Sequence, residues 1–319
     1  MAKVWVYADI GPEGPRPSAL ELLTKARDLA DTVEAVALGP GATGAAAALG
    51  DYGAKTVYAS DDPVFGEYLG QPAAHVLARL VAEHVPNLIM FATTYDSRDV
   101  AGRLQATTGS TLMSNATDVL GLDRARTEIL GGTKIVDVSL GGPEPRLVLV
   151  RPKSFAAEPS GGTANVVPVV AEVPDELLKA HRVERHEEPA SGPKLEEAKV
   201  VIAGGRGLQD PTNFALLERL AAVIGNAAVG ASRAVVDAGW IPYSHQIGQT
   251  GKTVKPEVYV AVGISGATQH VVGMKQSKRI VAINKDPDAP ILKLADLGVV
   301  GDALSFLPRL IEAIEARES

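Results

Sequence analysis

Residues 199–208 read KVVIAGGRGL, an apolar β-branched run that leads directly into a glycine-rich turn. The same order returns at 258–270, where VYVAV is followed by GISGATQH. Short runs of Val and Ile bounded by glycines predict buried strands. Strands that alternate with helices imply a mostly parallel sheet. These stretches therefore predict an α/β fold for the second half of the chain.

Further strands and helices complete this pattern in the second half. The predicted strands are Lys199–Ala203, Ala227–Gly230, Val258–Val262 and Arg279–Ile283. The predicted helices are Asn213–Ile224, with Asp210 and Pro211 as start signals, and about 303–316, with Asp302 as its cap. The expected buried face of the first helix carries Leu216, Leu217, Leu220, Val223 and Ile224. The second half is thus predicted to be a doubly wound, Rossmann-like domain.

The first half has the same alternation. Its predicted strands are Lys3–Ala8, Val33–Leu38, Lys55–Ala59, Asn87–Phe91, Lys134–Leu140 and Leu147–Val150, the last two without a helix between them. Its predicted helices are Leu20–Ala30 and Ala73–His84. The glycine-rich turn at 39–44 matches no phosphate-binding fingerprint well. This half is therefore expected to be a second doubly wound domain with a structural role.

A change of composition separates the two halves. The chain has 319 residues, a length that suits two domains with separate cores. Residues 173–198 are rich in Glu, Lys, His and Pro and lose the apolar periodicity. The predicted organisation is a first domain at 1–190, a linker or hinge at 191–198 and a second domain at 199–319.

Composition and charge exclude several classes of function. The formal net charge of −7 argues against a nucleic-acid partner, because no basic surface would offset phosphate repulsion. The chain contains no cysteine, which excludes disulfides, thiolate catalysis, iron–sulfur clusters and cysteine-ligated zinc. The N-terminus lacks the apolar core of a signal peptide, and no run is long enough to span a membrane. A cytoplasmic protein without membrane insertion is expected.

The second half concentrates its chemistry in five turns. They are GGRGL at 204–208, GASRAVVD at 230–237, IGQTGK at 247–252, GISGATQH at 263–270 and INKDPDAP at 283–290. Ligands of open parallel sheets bind beyond the carboxyl ends of the strands, where glycines allow close approach to phosphate. Together the turns predict a large phosphate-bearing cofactor. GGRGL differs from GxGxxG, so the turns do not by themselves indicate NAD.

Two other kinds of site are not supported by spacing. Five histidines lack the spacings typical of metal ligands, and no metal site is predicted: His75, His84, His181, His186 and His245. GISGA has its serine at the wrong spacing for a GxSxG nucleophile elbow, which argues against hydrolase chemistry.

The motifs of the second half resemble those of the FAD-binding domain of electron-transfer flavoprotein alpha subunits. The matching segments are GGRGL, VGASRAVVDAGWIP, QIGQTGKTVKPEVYVAVGISGATQH, GMKQSK and VAINKDPDAPI, in that order, between Val201 and about Pro308. A looser match in the first half runs through RDVAGRLQATTGS at 98–110 and VRPKSF at 150–155. The resemblance implies FAD as the cofactor.

The resemblance also implies a set of FAD-binding positions and no catalytic residues. The positions are Arg206, Ser232, Arg233, Ile247, Gly248, Gln249, Thr250, Gly251, Ser265, Gly266, Ala267, Thr268, Gln269, His270, Asn284, Asp302 and Ala303. In the family, the counterpart of Arg206 contacts the pyrophosphate, those of Ser232 and Arg233 lie beside the isoalloxazine ring, and that of Thr250 lies at flavin N5. The counterpart of His270 lies near the pyrimidine carbonyl, and those of Asn284 and Asp302 lie near the ribityl and adenosine parts.

An electron carrier is the function that this resemblance implies. A dehydrogenase, such as an acyl-CoA dehydrogenase, would reduce the FAD, and an acceptor such as electron-transfer-flavoprotein–quinone oxidoreductase would reoxidise it. The expected assembly is a heterodimer with a beta subunit. Two alternatives stay open, an NAD(H)-dependent oxidoreductase and an assembly protein with a vestigial pocket. Electron bifurcation through a second flavin in the beta subunit also stays open.

Overall fold

The computed structural model describes residues 2–132, 134–184 and 193–318. The chain divides into two compact units, Met1–Arg185 and His186–Ser319, which we call unit 1 and unit 2. Each unit has its own mostly parallel sheet with helices, which confirms the predicted pair of α/β domains. Residues 185–192, which include the first two positions of the predicted linker, lie outside the described residues.

Unit 1 is organised around one nine-stranded sheet. The strands of the unit are β1 (Lys3–Tyr7), β2 (Ile10–Gly11), β3 (Gly14–Pro15), β4 (Thr32–Leu38), β5 (Thr56–Ser60), β6 (Leu88–Ala92), β7 (Leu112–Gly121), β8 (Arg124–Ile129), β9 (Lys134–Ser139), β10 (Arg146–Val150) and β11 (Asn165–Pro168). The sheet order is β11-β5-β4-β1-β6-β10-β7-β8-β9. Pairing is parallel from β11 to β7 and antiparallel from β7 to β9, while β2 and β3 form a separate hairpin.

Helices cover both faces of this sheet. They are α1 (Pro17–Arg27), α2 (Ala42–Asp51), α3 (Val64–Glu67), α4 (Gln71–His84) and α5 (Tyr95–Thr108). In β1, Val4 and Val6 are buried in the cluster that contains α1 and α2, whereas Trp5 and Tyr7 are buried in the cluster that contains α4 and α5. Because successive side chains of a strand point to opposite faces, a strand covered on both sides is apolar throughout.

The structure adds several elements of unit 1 to those that the sequence predicted, among them β7, β8 and α2. Strands β7 and β8 precede β9 and pair with each other in an antiparallel ladder. The predicted turn at 39–44 is shorter than expected, since α2 already begins at Ala42. Gly41 caps this helix with a φ of 85°, a left-handed conformation that glycine adopts at little cost.

Unit 2 contains a five-stranded sheet in which every pairing is parallel. Its strands are β12 (Val200–Gly204), β13 (Ala227–Ala231), β14 (Val258–Val262), β15 (Arg279–Asn284) and β16 (Leu297–Val300). Its helices are α6 (Phe214–Ile224), α7 (Arg233–Val236), α8 (Thr268–Val271) and α9 (Ala303–Glu318). The order β13-β12-β14-β15-β16 is the 2-1-3-4-5 order of doubly wound sheets, and it differs from the 3-2-1-4-5-6 order of nicotinamide-binding domains.

The two faces of this sheet are covered in different ways. On one face, α6 and α9 bury residues such as Leu217, Leu220 and Leu307. On the other face, the apolar layer comes largely from loop residues, among them Ile247 and Ile264. The loops of unit 2 are therefore part of its hydrophobic core.

Helix α6 and the start of unit 2 refine two predictions. Phe214, Leu217 and Leu220 form the buried face of α6, while Leu216, Val223 and Ile224 are only partly buried. Leu195 and Ala198, which fall in the predicted linker, are buried in the core of unit 2. Within the described residues, no helix combines the length and the apolar character that a membrane span requires.

Candidate cofactor-binding site

The five glycine-rich turns of unit 2 meet at one edge of its sheet. Four of them follow β12, β13, β14 and β15, and parallel pairing places the carboxyl ends of these strands side by side. The fifth turn, 247–252, is joined to β13, since Ile247 N donates to the Ala231 carbonyl at 2.9 Å. We call this region, with the 301–303 turn after β16, the carboxyl edge of unit 2.

The turns at 204–208 and 263–270 pack backbone to backbone. Gly207 N donates to Gly263 O at 3.0 Å. A Cβ on Gly205 would lie 2.5 Å from Gly263 O, and a Cβ on Gly263 would lie 2.6 Å from Gly207 Cα. Gly263 also has a φ of 61°, in the left-handed region. These glycines are required by the contact between the two turns, before any cofactor is considered.

The loop 247–252 rests on the end of the 263–270 turn. Gln249 N donates to Gln269 O at 2.7 Å, and Gly248 N donates to Lys252 O at 3.1 Å. Gly248 has a φ of 140°, and a Cβ there would lie 2.7 Å from Gln269 O. The main chain of the loop is thus fixed against that turn.

Thr250 lies at the tip of this loop and is held by two neighbours. Its Oγ1 accepts a hydrogen bond from Gln246 Nε2 at 3.0 Å, and its carbonyl accepts one from the Tyr243 hydroxyl. Gln246 is buried, which limits the positions open to its amide. His245 Nδ1 lies 2.8 Å from the Val229 carbonyl, so this histidine links the residues that precede the loop to β13.

Asn284 connects the turns that follow β14 and β15. Its Nδ2 donates to the Ile264 carbonyl at 2.9 Å, and its Oδ1 accepts from Asp286 N at 3.0 Å. Gly266, with a φ of 86°, lies against the backbone of Ile291, where a Cβ would not fit. The Asn284 amide is therefore engaged within the protein.

Asp302 and Ala303 form the start of α9, as expected for a helix cap. Asp302 Oδ2 accepts from the Ser305 backbone N–H at 3.1 Å and from the Ser305 hydroxyl at 3.0 Å. Ala303 is buried as the first residue of the helix. The capping role of Asp302 is thus established, with Oδ1 left for other contacts.

Several side chains on the carboxyl edge have no partner among the residues that the structure describes. Arg206 is exposed on the one-turn helix that follows β12 and makes neither a hydrogen bond nor an ion pair there. The side chains of Ser265, Thr268 and Gln269 are likewise exposed and free of hydrogen bonds within the described part of the chain. Arg233 differs, because its Nε donates to Asp237 Oδ2 at 3.0 Å.

His270 is a buried polar residue of this edge. Its Nε2 lies 2.8 Å from the Tyr259 hydroxyl, while its Nδ1 is buried without a hydrogen-bond partner in the described structure. Burial lowers the pKa of His270 to about 4, against a smaller opposing contribution from the Ile247 backbone. The imidazole is therefore neutral near pH 7. A buried nitrogen without a full hydrogen bond is costly in a native protein, and the Ile247 backbone offsets this cost only in part.

Comparison with known proteins shows the family to which the chain belongs. A family model described as "Electron transfer flavoprotein FAD-binding domain" matches residues 194–275, and one described as "Electron transfer flavoprotein domain" matches residues 4–176. An electron transfer flavoprotein subunit alpha of Mycobacterium tuberculosis (strain ATCC 25618 / H37Rv) is 42% identical over 322 residues, covering 100% of both chains. The chain belongs to the electron-transfer flavoprotein alpha-subunit family.

Other similarities differ in weight. Protein FixB of Clostridium saccharobutylicum is 36% identical over 318 residues, which covers 97% of this chain and 95% of the relative. A solved structure of a glycotransferase of kitacinnamycin has a TM-score of 0.29 and 14% identity, covering 99% of this chain and 94% of that chain. At that TM-score, the second similarity carries no argument about fold or function.

FAD is the cofactor of this family, and unit 2 contains the family's FAD-binding domain. The residues present fit such a cofactor. Among the described residues, Arg206 offers a guanidinium without an ion-pair partner for phosphate, and His270 Nδ1 has no hydrogen-bond partner. Asn284, Asp302 and Ala303 lie outside the matched range of 194–275.

The predicted binding positions lie together on the carboxyl edge, although their roles toward FAD stay predictions. Ser232 is the N-cap residue of α7, and the segment Thr268–Val271 forms a helix of only one turn, which gives it a weak dipole. Sequence reasoning missed Tyr259, Gln246 and Asp237, each of which contacts a predicted residue. Tyr259 alone left a signal, as a polar-tipped aromatic residue inside an aliphatic strand.

No group of three or more His, Asp or Glu residues in the described ranges could hold a metal ion. Of the histidines outside the site, His181 stacks edge-on against Tyr68, and His84 lies against Tyr58. His186 lies outside the described residues.

Proposed function

We propose that this chain is the FAD-holding subunit of an electron carrier that turns over no substrate of its own. Bound FAD accepts electrons and gives them up again, and the protein supplies binding, orientation and electrostatics. The alpha subunit pairs with a beta subunit, receives electrons from dehydrogenases such as acyl-CoA dehydrogenases, and delivers them to an acceptor such as a quinone oxidoreductase. Fatty-acid β-oxidation in the cytoplasm is the proposed setting.

The observation that carries this proposal is the free polar surface within the FAD-binding domain. Arg206, Ser265, Thr268 and Gln269 present side chains without partners among the described residues, and His270 Nδ1 is buried and unsatisfied. A cofactor with phosphates and ring acceptors would satisfy these groups together. The names of the related proteins support electron transfer as the role.

Each group on the edge has a proposed task toward FAD. Arg206 binds the pyrophosphate through charge-assisted hydrogen bonds, and Ser232 and Arg233 lie beside the isoalloxazine ring. Thr250 donates toward N5, for which its hydroxyl is free as a donor because Oγ1 only accepts from Gln246. His270 donates toward the pyrimidine carbonyl.

The remaining positions hold the rest of the cofactor. Asn284 contacts the ribityl chain through the second N–H of Nδ2 or the second lone pair of Oδ1. Asp302 contacts the adenosine part through Oδ1. Main-chain groups of the loops at 247–251 and 265–269 approach the cofactor closely, because glycines bring these loops together.

The first test is identification of the chromophore. The chain is purified with and without its beta subunit, a visible absorption spectrum is recorded, and the released chromophore is identified. We expect one FAD for this site in the complex, reducible by a dehydrogenase and reoxidisable by an acceptor. A colourless complex or a bound nicotinamide nucleotide would contradict the proposal.

Arg206→Gln tests the site itself. Charge-assisted hydrogen bonds contribute about 1.5–3 kcal/mol, so we expect FAD to dissociate roughly 10 to 100 times more readily. Arg219→Gln is the matched control, since Arg219 is exposed on α6 and pairs with Glu315. Equal FAD affinity of the two variants, measured by fluorescence titration, would remove Arg206 from the site.

A further inference from the structure

Tyr259 is a buried partner of His270 that is absent from the predicted FAD-binding positions, although it lies in the matching segment 246–270. It lies in β14, its side chain has no exposed surface, and its hydroxyl is 2.8 Å from His270 Nε2. The two rings are tilted by 58°, with centroids 6.2 Å apart, so the hydroxyl meets the ring edge. His270 is the single hydrogen-bond partner of this hydroxyl in the described structure.

The contact allows two arrangements of protons, which differ in how many buried groups stay unsatisfied. If Nε2–H donated to the Tyr259 oxygen, the phenolic O–H would lack an acceptor and Nδ1 would lack a donor. If the phenol donates to Nε2, the imidazole carries its proton on Nδ1. The Nδ1–H is then the one group of the pair without a full hydrogen bond in the described structure, and the Ile247 backbone stabilises it in part. Unsatisfied buried groups cost free energy, so the second arrangement is favoured.

We propose that Tyr259 is a positioning residue that holds His270 as the Nδ1–H tautomer and fixes the orientation of its ring in the FAD site. The inference rests on the proposed role of His270 in the FAD site. It adds the residue that decides which nitrogen of His270 carries the proton and how the ring is turned. Tyr259 itself does not touch the cofactor.

The protonation states of both residues agree with this arrangement. Burial raises the pKa of Tyr259 well above its ordinary value, so the phenol keeps its proton. Burial lowers the pKa of His270 to about 4, so Nε2 is free to accept. One hydrogen bond of a neutral imidazole then fixes the role of the other nitrogen.

The direct test is the tautomer of His270 in the alpha–beta complex. With ¹⁵N-labelled histidine, NMR separates protonated from unprotonated ring nitrogens, and loss of the His270 signals in a His270→Asn variant assigns them. We expect Nδ1–H alone in the unaltered complex. In Tyr259→Phe, which keeps the ring and removes the hydroxyl, we expect the Nε2–H form to appear.

A control separates this effect from loss of a buried hydroxyl in general. Tyr7→Phe removes the hydroxyl of another buried tyrosine, in unit 1, and should leave the His270 tautomer unchanged. If Tyr259→Phe leaves the tautomer unchanged as well, the proposal is wrong. Because this readout needs no FAD, it decides the role of Tyr259 even if the complex binds another cofactor, an outcome that would overturn the proposed function instead.

A double-mutant cycle tests the link to the cofactor. Loss of one hydrogen bond predicts a roughly two- to tenfold rise in the FAD dissociation constant of Tyr259→Phe. His270→Asn keeps an N–H donor near the Nδ1 position but does not reach Tyr259. In that background, Tyr259→Phe should change the dissociation constant less than about twofold, because the two residues act through one contact. Equal effects in both backgrounds would overturn the proposal.

Discussion

The carboxyl edges of the two parallel sheets carry similar polar residues. In unit 1 most of their side chains are hydrogen-bonded or ion-paired, whereas in the described part of unit 2 several have no partner. In unit 1, Asp9 follows β1 and accepts hydrogen bonds from the Thr94 hydroxyl at 2.8 Å and the Ser97 hydroxyl at 2.9 Å. Beyond β10, Arg151 pairs with Glu128 at 3.2 Å, with both side chains almost fully buried. Most of these polar groups are partnered by one another, although Thr93 Oγ1, which follows β6, is buried without a hydrogen-bond partner among the described residues.

In unit 2, the main chain of the edge is tied together while its side chains are left free. Backbone contacts join the turns through Gly207, Gly263 and Gln269. The Arg206 side chain and His270 Nδ1 have no partner in the part of the chain that the structure describes. Polar residues beyond parallel strands are therefore a weak sign of a ligand site, and a cluster of such residues without partners is a stronger sign than a single one.

The layers beneath the edges explain the difference. Helices α1, α2, α4 and α5 cover both faces of the sheet in unit 1, so its loops contribute little to the core. One face of unit 2 is covered largely by the loops themselves, through Ile247, Ile264 and Ile291. Loops that are fixed by their own apolar residues can hold a binding surface in place without a ligand.

Gly263→Ala should give the largest effect, because the edge of unit 2 depends on close backbone contact. A Cβ at 2.6 Å from Gly207 Cα, together with a φ of 61°, predicts a loss of roughly 2–5 kcal/mol in the stability of unit 2. Urea unfolding of the full chain measures it. Trp5 reports on unit 1 and Trp240 on unit 2, so a Trp5→Phe background isolates the second signal.

Gly44→Ala is the matched control in unit 1. Gly44 lies in α2 with no atom near its missing Cβ, and alanine there should raise the stability by about 0.5–1 kcal/mol. If Gly263→Ala is tolerated as well as Gly44→Ala, the difference between the two edges is not one of backbone packing.

Acid should weaken unit 2 through His270. Its pKa is about 4 in the folded protein and about 6.5 when unfolded, so the unfolded chain takes up the proton first. The stability that depends on the neutral ring is complete above pH 6.5 and is lost as the pH falls toward 4, by about 3 kcal/mol. The stability of His270→Gln should fall less over this range in urea unfolding of FAD-free protein. Parallel curves for the two proteins would contradict the assignment.

Asp302→Ala should cost about 1 kcal/mol by removing the cap of α9. Asp302→Asn keeps an oxygen that can accept from Ser305 N and should restore most of the stability. Comparison of FAD affinity in the two variants then separates capping from binding. A weaker affinity in Asp302→Asn at restored stability would assign the carboxylate to the cofactor.

Asp9 should show a pH dependence opposite to that of His270. Burial raises its pKa, while hydrogen bonds from Thr94 and Ser97 and the charge of Arg16 partly offset the shift and Asp96 adds to it. A carboxyl with a raised folded pKa stabilises most at low pH, and the contribution falls as the pH rises above about 4. In the Trp240→Phe background, the stability of unit 1 in an Asp9→Asn variant should not show this decline as the pH rises. A decline that persists would assign it to another group.

Much of the fold could be predicted from strand patterns. Val258–Val262 was predicted to the residue, and β1, β4, β12 and β15 within one or two residues, because apolar runs bounded by glycine are unambiguous. Strands β7 and β8 were missed, since half-exposed antiparallel strands have mixed polar sequences. The small helix α2 was missed because its Gly- and Ala-rich start resembles a turn.

The sequence by itself determined the family, the two α/β domains and the edge of the sheet on which the predicted cofactor positions gather. These follow from the order of the motifs and from the alternation of strands with helices, which can be read from short stretches of sequence. Only the tertiary structure decided which polar groups are free. Arg233 is paired with Asp237, Asp302 caps a helix, and His270 has one nitrogen hydrogen-bonded to Tyr259 and the other without a hydrogen-bond partner among the described residues. Hydrogen-bond satisfaction depends on residues distant in the chain, such as those 11 positions apart in the Tyr259–His270 contact, and no local pattern encodes it.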